Sequence, residues 1–156
     1  MLNRDEAMLI IIDLQEKLLP AMSDPDTLMD TTVKFIDGIN QFGMPKLITT
    51  QYVKGLGETD PRIAEIFGEG FAPVDKRTFS VFKCEEFREK FDALEKKQII
   101  VCGIEAHICL QQSVLELREM GYEVYVPVDC IMSRKESDRD TAIERMRQAG
   151  AIMTTY

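Results

Sequence analysis

The sequence lacks a run of apolar residues long enough to cross a membrane or to form the core of a secretory signal. Its longest such run near the N-terminus, Ala7 to Ile12, is cut off by Asp13, and a span needs about 20 residues. A cytoplasmic protein with no membrane partner is expected. Among the four cysteines, Cys84, Cys102, Cys109 and Cys130, there is no C-x-x-C spacing, so free thiols are expected rather than a disulfide framework. Positive charge is scarce. A formal net charge of −8, with no basic stripe interleaved with aromatics, would repel a phosphate backbone and argues against nucleic acid as a partner. No G-x-G-x-x-G follows the first strand, where MLIIIDLQEK stands instead, which disfavours a dinucleotide-binding fold of that type.

What remains is ordinary globular composition. Of the 156 residues, 29% are charged and 45% hydrophobic, enough to bury a respectable core, and one domain over residues 1–156 is the expectation. Met8 to Leu14 reads as a buried parallel strand ending in an acid. Cap residues at Asp24 to Asp26 open a helix carrying Leu28, Val33, Phe35, Ile36 and Ile39, stopped by Gly43. Lys46 to Val53 reads as a second strand, followed by a flexible loop at Gly55 and Gly57 and a short helix at Pro61 to Phe67. Phe71 to Lys76 is a third strand, Glu85 to Lys96 a helix, and Gln98 to Ile104 the strongest strand signal. His107 to Met120 follows as a helix, then Tyr122 to Val128 as a strand, Glu136 to Ala149 as a helix and Ala151 to Thr155 as a last strand. Such alternation predicts an α/β fold: a three-layer αβα, Rossmann-like arrangement around a mostly parallel six-stranded sheet with right-handed crossovers.

In such sheets ligands bind beyond the carboxyl ends of the strands, where the strand order reverses. That rule selects Asp13 after strand one, Thr50 and Gln51 after strand two, Lys76 after strand three, and the segment Gly103 to Cys109 after strand four. Singly, each has a bland reading: a cap, a solvated charge, a packed thiol. Together, an acid, an amine and a thiol converge on one rim. A thiol near a helix N-terminus and beside an ammonium is expected to have a lowered pKa, and a carboxylate beside it can move the protons of a covalent reaction.

The D-x-Q of Asp13 to Gln15, the lysine in VDKRTFSVF, the segment QYVKGLGET, the elbow GIEAHIC and the stretch SRKESDRDTAIERMRQAGA together resemble the isochorismatase-like cysteine hydrolases, in particular the isochorismatase domain-containing subgroup. The likeness spans nearly the whole chain. It implies a catalytic Asp13, Lys76 and Cys109, a cis peptide between Ile104 and Glu105, and an oxyanion hole made by the backbone N–H groups of Glu105 and Cys109. It also implies attack of the Cys109 thiolate on an amide or similar carbonyl. Nicotinamidases of this superfamily bind a metal after strand two through Asp-x-His and a further His. Here that region reads Thr49-Thr50-Gln51-Tyr52 and His107 is the only histidine, so no metal site of that kind can be built and no cofactor is implied. The thiol disfavours the vinyl-ether cleavage of true isochorismatases. Relatives continue with a helix beyond the last strand, whereas this sequence ends at Tyr156, which leaves that edge to such a segment or to a neighbouring subunit.

The expectation is therefore a metal-independent cysteine hydrolase acting on a C–N bond of a small molecule, in a homo-oligomer. A catalytically weak binding or scaffold protein on the same fold is the alternative. Tyr52, Phe79 and Phe82 are candidates for an apolar pocket, with core packing as the competing role. Gln15 and Gln51 are candidates for fixing a polar substrate edge. His107, two residues from Cys109, points away from it on a helix and is assigned to structure or the pocket rim. Cys84, Cys102 and Cys130 are read as structural.

Overall fold

The computed structural model describes all 156 residues. Seven strands form one sheet: β1 (Ala7–Ile12), β2 (Lys46–Gln51), β3 (Val74–Lys76), β4 (Gln98–Ile104), β5 (Glu123–Pro127), β6 (Ile131–Met132) and β7 (Ile152–Thr154). Six helices connect them: α1 (Pro25–Gln41), α2 (Val53–Leu56), α3 (Pro61–Phe67), α4 (Glu85–Asp92), α5 (Gln111–Glu119) and α6 (Glu136–Gln148). The strand order is β3-β2-β1-β4-β5-β7, and every pairing between strands is parallel.

The expected α/β sheet is present, with one strand more than the sequence signalled. β6 is only two residues long and pairs with the last two residues of β4, where β5 has already diverged. A two-residue strand is too short to carry any periodic signal. The second strand also stops at Gln51, because Tyr52 turns left-handed at φ 45° and the next residues wind into α2 where a flexible loop was expected.

All six residues of β1 and all seven of β4 are buried, as central parallel strands require. Alternate side chains point to opposite faces. Met8, Ile10, Ile12, Ile99 and Val101 enter one apolar layer with Phe87, Val114 and Met146, which come from α4, α5 and α6. Leu9, Ile11, Ile100, Cys102 and Ile104 enter the other with Leu28, Ile36 and Ile63, from α1 and α3. At about 1.5–3 kcal/mol per fully buried aliphatic side chain, these two strands fix the register of the sheet. Helix starts follow the local signals: Asp24 accepts from the Thr27 N–H at 3.2 Å with Pro25 at the first helical position, and Asp60 accepts from Arg62 N at 2.9 Å before Pro61. No helix is long and apolar enough to cross a membrane.

The chain moves outward from β1 through β2 to β3 on one side, and from β4 to β5 and β7 on the other. The reversal therefore lies between β1 and β4, and their carboxyl ends open the crevice where a ligand is expected in such sheets. Gly103 makes this approach possible. It sits at φ +118°, and a Cβ there would lie 2.1 Å from the Ile12 carbonyl oxygen, so only glycine lets β4 close against β1 at this level.

Candidate active site

Asp13 follows β1 with φ 53°, a left-handed conformation that Asp tolerates better than most residues. This turn directs its carboxylate along the sheet rim. One oxygen accepts from Thr49 Oγ1 at 2.7 Å and the other from Lys76 Nζ at 2.8 Å. The Asp13 and Lys76 side chains are 1% and 0% exposed, which makes this a buried ion pair. Pairing and hydrogen bonding compensate the desolvation of both charges. Lys76 completes its three donors with Gln51 Oε1 at 2.6 Å and the Thr78 carbonyl at 3.1 Å.

β4 delivers the third group. A cis peptide joins Ile104 to Glu105, at the position that the resemblance implies. The chain then forms a π turn over Ala106–Leu110 that runs directly into α5. The Glu105 carbonyl accepts from both Ile108 N and Leu110 N, whereas the Glu105 N–H donates to no acceptor and the Cys109 N–H to none outside its own turn. The Cys109 side chain faces the ion pair. Its thiol is pushed up to about 12, first by burial and next by the charge of Asp13, with Lys76 pulling the other way. The expected lowering of this pKa is thus corrected: the helix start and the ammonium are present, but desolvation and a facing carboxylate outweigh them. Near neutral pH the resting species is the neutral thiol.

The thiol closes the floor of a cavity of about 170 Å³. Leu18, Leu56, Phe79, Ile104 and Ile108 supply its apolar wall, and Asp13, Gln51, Glu105 and Arg134 its polar one. A larger recess of about 440 Å³ beside α4 is lined by Phe82, Lys83, Glu85, Arg88, Glu89 and Asp92, mostly charged and without a thiol. Asp13 and Cys109 line the smaller cavity, and Lys76 lies behind Asp13.

The other candidates separate. Gln51 and Phe79 line the cavity, Phe79 being half exposed at its mouth. Gln15 does not face it. Its fully buried amide accepts from Gln51 N at 2.7 Å and donates to the carbonyls of Gln51 at 3.1 Å and Gly57 at 2.7 Å, clipping the loop after β2 to the turn after β1. Tyr52 stands outside, its ring 4.0 Å from the Arg77 guanidinium, because its left-handed turn carries it away from the rim. Phe82 is a core residue, with its ring 5.7 Å from Phe87 and 5.0 Å from Phe91. The turn at Val81–Lys83 points it toward α4, and nothing in the sequence distinguishes that direction from the cavity. His107 pairs its Nδ1 with Ser133 Oγ at 2.8 Å and lines a neighbouring cleft of about 320 Å³ with Arg134, Lys135 and Asp138.

Sequence reasoning missed Leu18, Leu56 and Arg134. Arg134 donates through Nε to Glu105 Oε1 at 3.0 Å, across 29 positions of sequence, a pairing that no local pattern announces. Leu56 reaches the cavity only because α2 winds where a loop was expected. No cluster of three His, Cys, Asp or Glu side chains that could hold a metal ion occurs.

The reversal point of this parallel α/β sheet thus gathers an acid and a thiol on the wall of one small cavity, with a buried amine paired to the acid behind it. Comparison with known proteins identifies the family: the Isochorismatase domain matches residues 7–156, and the chain belongs to that family. Isochorismatase domain-containing protein 2 of Danio rerio is 32% identical over 155 residues, 99% of this chain and 77% of that protein. A solved structure described as the MAR1 ribonuclease of Caenorhabditis elegans superposes with a TM-score of 0.91 at 35% identity, covering 99% of this chain and 79% of that one. Two YcaC structures superpose with a TM-score of 0.92 at 28% identity, covering 99% of this chain. One, from Pseudomonas aeruginosa, covers 78% of that chain and is described with hexane-2,5-diol and covalent acrylamide. The other, from Escherichia coli, covers 77% of that chain and is described as an octameric hydrolase of unknown specificity.

Proposed function

We propose that the chain is a metal-independent cysteine hydrolase that cleaves an amide or related C–N bond of a small molecule through a thioester. The carrying observation is the buried Asp13–Lys76 pair flanking Cys109 at the floor of a cavity that admits only a small ligand. Asp13 takes the thiol proton as the sulfur forms its bond to the carbonyl carbon. The free N–H of Glu105 and that of Cys109 receive the charge developing on the carbonyl oxygen. The C–N bond then breaks, Asp13 returns its proton to the leaving amine, and a thioester remains. Water attacks this ester, gives its proton to Asp13, and the C–S bond breaks as the thiol is restored and the acid departs. Lys76 orients the carboxylate through its contact with Asp13 and favours the transient thiolate.

The resting thiol suits this sequence of steps, since Asp13 needs to remove the proton only when a carbonyl is in place. The covalent acrylamide of the Pseudomonas aeruginosa relative, an electrophilic amide small enough for this cavity, supports reading Cys109 as the nucleophile here. The octameric relative supports a homo-oligomer. The ribonuclease name is not carried over, because a chain of net charge −8 repels a phosphate backbone. The high thiol pKa also favours a second reading, a binding protein with little turnover. Turnover of a panel of small primary amides by wild type and Cys109→Ala separates the two. Loss of hydrolysis in the variant supports the hydrolase, equal rates refute the nucleophile, and no hydrolysis by wild type leaves the binding protein.

A further inference from the structure

Lys76 dictates which way the Gln51 side chain presents its two ends. An ammonium group carries three donors and no acceptor, so the 2.6 Å contact from Lys76 Nζ requires the oxygen of the Gln51 amide and turns its NH₂ away. That NH₂ takes part in none of the hydrogen bonds of the chain, while Gln51 itself forms part of the cavity wall. The side chain cannot readily drift from this pose, because Gln15 holds the Gln51 backbone by both its N–H and its carbonyl. The carboxylates on the wall are otherwise engaged, and the open donors besides Gln51 are the Glu105 backbone N–H, which the proposed reaction gives to the carbonyl oxygen, and the outer nitrogens of Arg134 at the exposed rim. Asp13 is bound to Thr49 and Lys76, and Glu105 is paired with Arg134 at the exposed rim. The apolar part of the same wall is aliphatic and aromatic: Leu18, Leu56, Phe79, Ile104 and Ile108.

We propose that Gln51 determines specificity, and that its NH₂ selects small amides whose acyl group is apolar except for one hydrogen-bond acceptor, such as an ether or carbonyl oxygen or a ring nitrogen. An acyl group of equal size without an acceptor would displace water from this donor and leave it unpaired, which costs its full desolvation. Sites built around such a donor reject the analogue that lacks the partner more strongly than a greasy pocket rejects one methylene. The proposal rests on the cysteine hydrolase reading for the bond that is cut, but acceptor preference is a property of binding and is measured apart from turnover.

The test is calorimetric binding of 2-methoxyacetamide and its isostere butanamide to Cys109→Ala protein, which keeps the cavity wall and removes the proposed nucleophile. The expected result is binding of the ether about 10-fold tighter or more, with the ratio falling to about one in Cys109→Ala/Gln51→Leu. Reading a ratio cancels any general disturbance from the lost contact to Lys76. Equal affinities, tighter butanamide, a ratio that survives Gln51→Leu, or no binding of either amide at tens of millimolar overturns the proposal. Wild-type hydrolysis of the better ligand is scored separately. A preserved binding preference without hydrolysis refutes the hydrolase reading and leaves the role of Gln51 intact.

Discussion

Replacing Asp13 by Asn should make Cys109 more reactive toward an alkylating agent while abolishing hydrolysis. Asn is the least disruptive change at this position, because it tolerates the left-handed backbone at φ 53° and its oxygen can still accept from Lys76. Its NH₂ can donate to the Thr49 hydroxyl, which rotates to suit. The carboxylate pushes the thiol upward and Lys76 pulls it down, so removing the negative charge leaves desolvation opposed by the ammonium alone. With a pKa of about 12, about one thiol in ten thousand is ionised at pH 8, against about one in ten for the ordinary value of 9.0. A carboxylate in close contact at an effective dielectric near 20 contributes up to about 4 kcal/mol, or roughly three pKa units. The alkylation rate at pH 8 should therefore rise between about 10-fold and 1,000-fold, and the midpoint of its pH profile should move to lower pH. Peptide mass mapping after timed iodoacetamide treatment separates Cys109 from the half-exposed Cys84. Hydrolysis should fall by about 100-fold or more, since the proton acceptor is gone. Slower or unchanged alkylation in the variant would refute the reasoning, by showing that the carboxylate activates the thiol even in the resting enzyme.

Lys76→Met should lower stability by about 3–5 kcal/mol in urea unfolding at pH 7, because Asp13 is left buried without its counter-ion. The double variant Asp13→Asn/Lys76→Met should recover a large part of that loss, and a cycle with no coupling would contradict the ion pair. In Lys76→Met the Cys109 alkylation profile should shift to higher pH, since the one downward pull of a nearby charge is lost. Gly103→Ala should cost more than about 4 kcal/mol or prevent folding, through its contact with the Ile12 carbonyl and its positive φ, and soluble variant with wild-type melting behaviour would disprove the close approach of β4 to β1.

The parallel α/β architecture and its central strands were legible in the sequence because burial writes itself into β1 and β4 as unbroken apolar runs, whereas the sheet order and the two-residue β6 were not. Once the sheet is parallel, Asp13, Gln51, Lys76 and the segment after β4 must share an edge, and they do. What the sequence concealed depends on direction and environment. Phe79 and Phe82 stand three positions apart on one irregular stretch; the first reaches the cavity and the second packs under α4, a choice made by backbone turns that no periodicity encodes. Arg134 reaches Glu105 only after the chain has folded. The thiol pKa was misjudged for a related reason: a helix start and a lysine are visible in the sequence, whereas the desolvation that outweighs them is a property of packing.

The most direct measurement is rapid-quench mass spectrometry of the wild-type protein mixed with an amide that it hydrolyses. The account predicts a transient mass increase equal to the acyl group, mapped to the peptide containing Cys109 and labile to hydroxylamine. Turnover that proceeds with no acyl mass on Cys109, or with the acyl group on another residue, would contradict it.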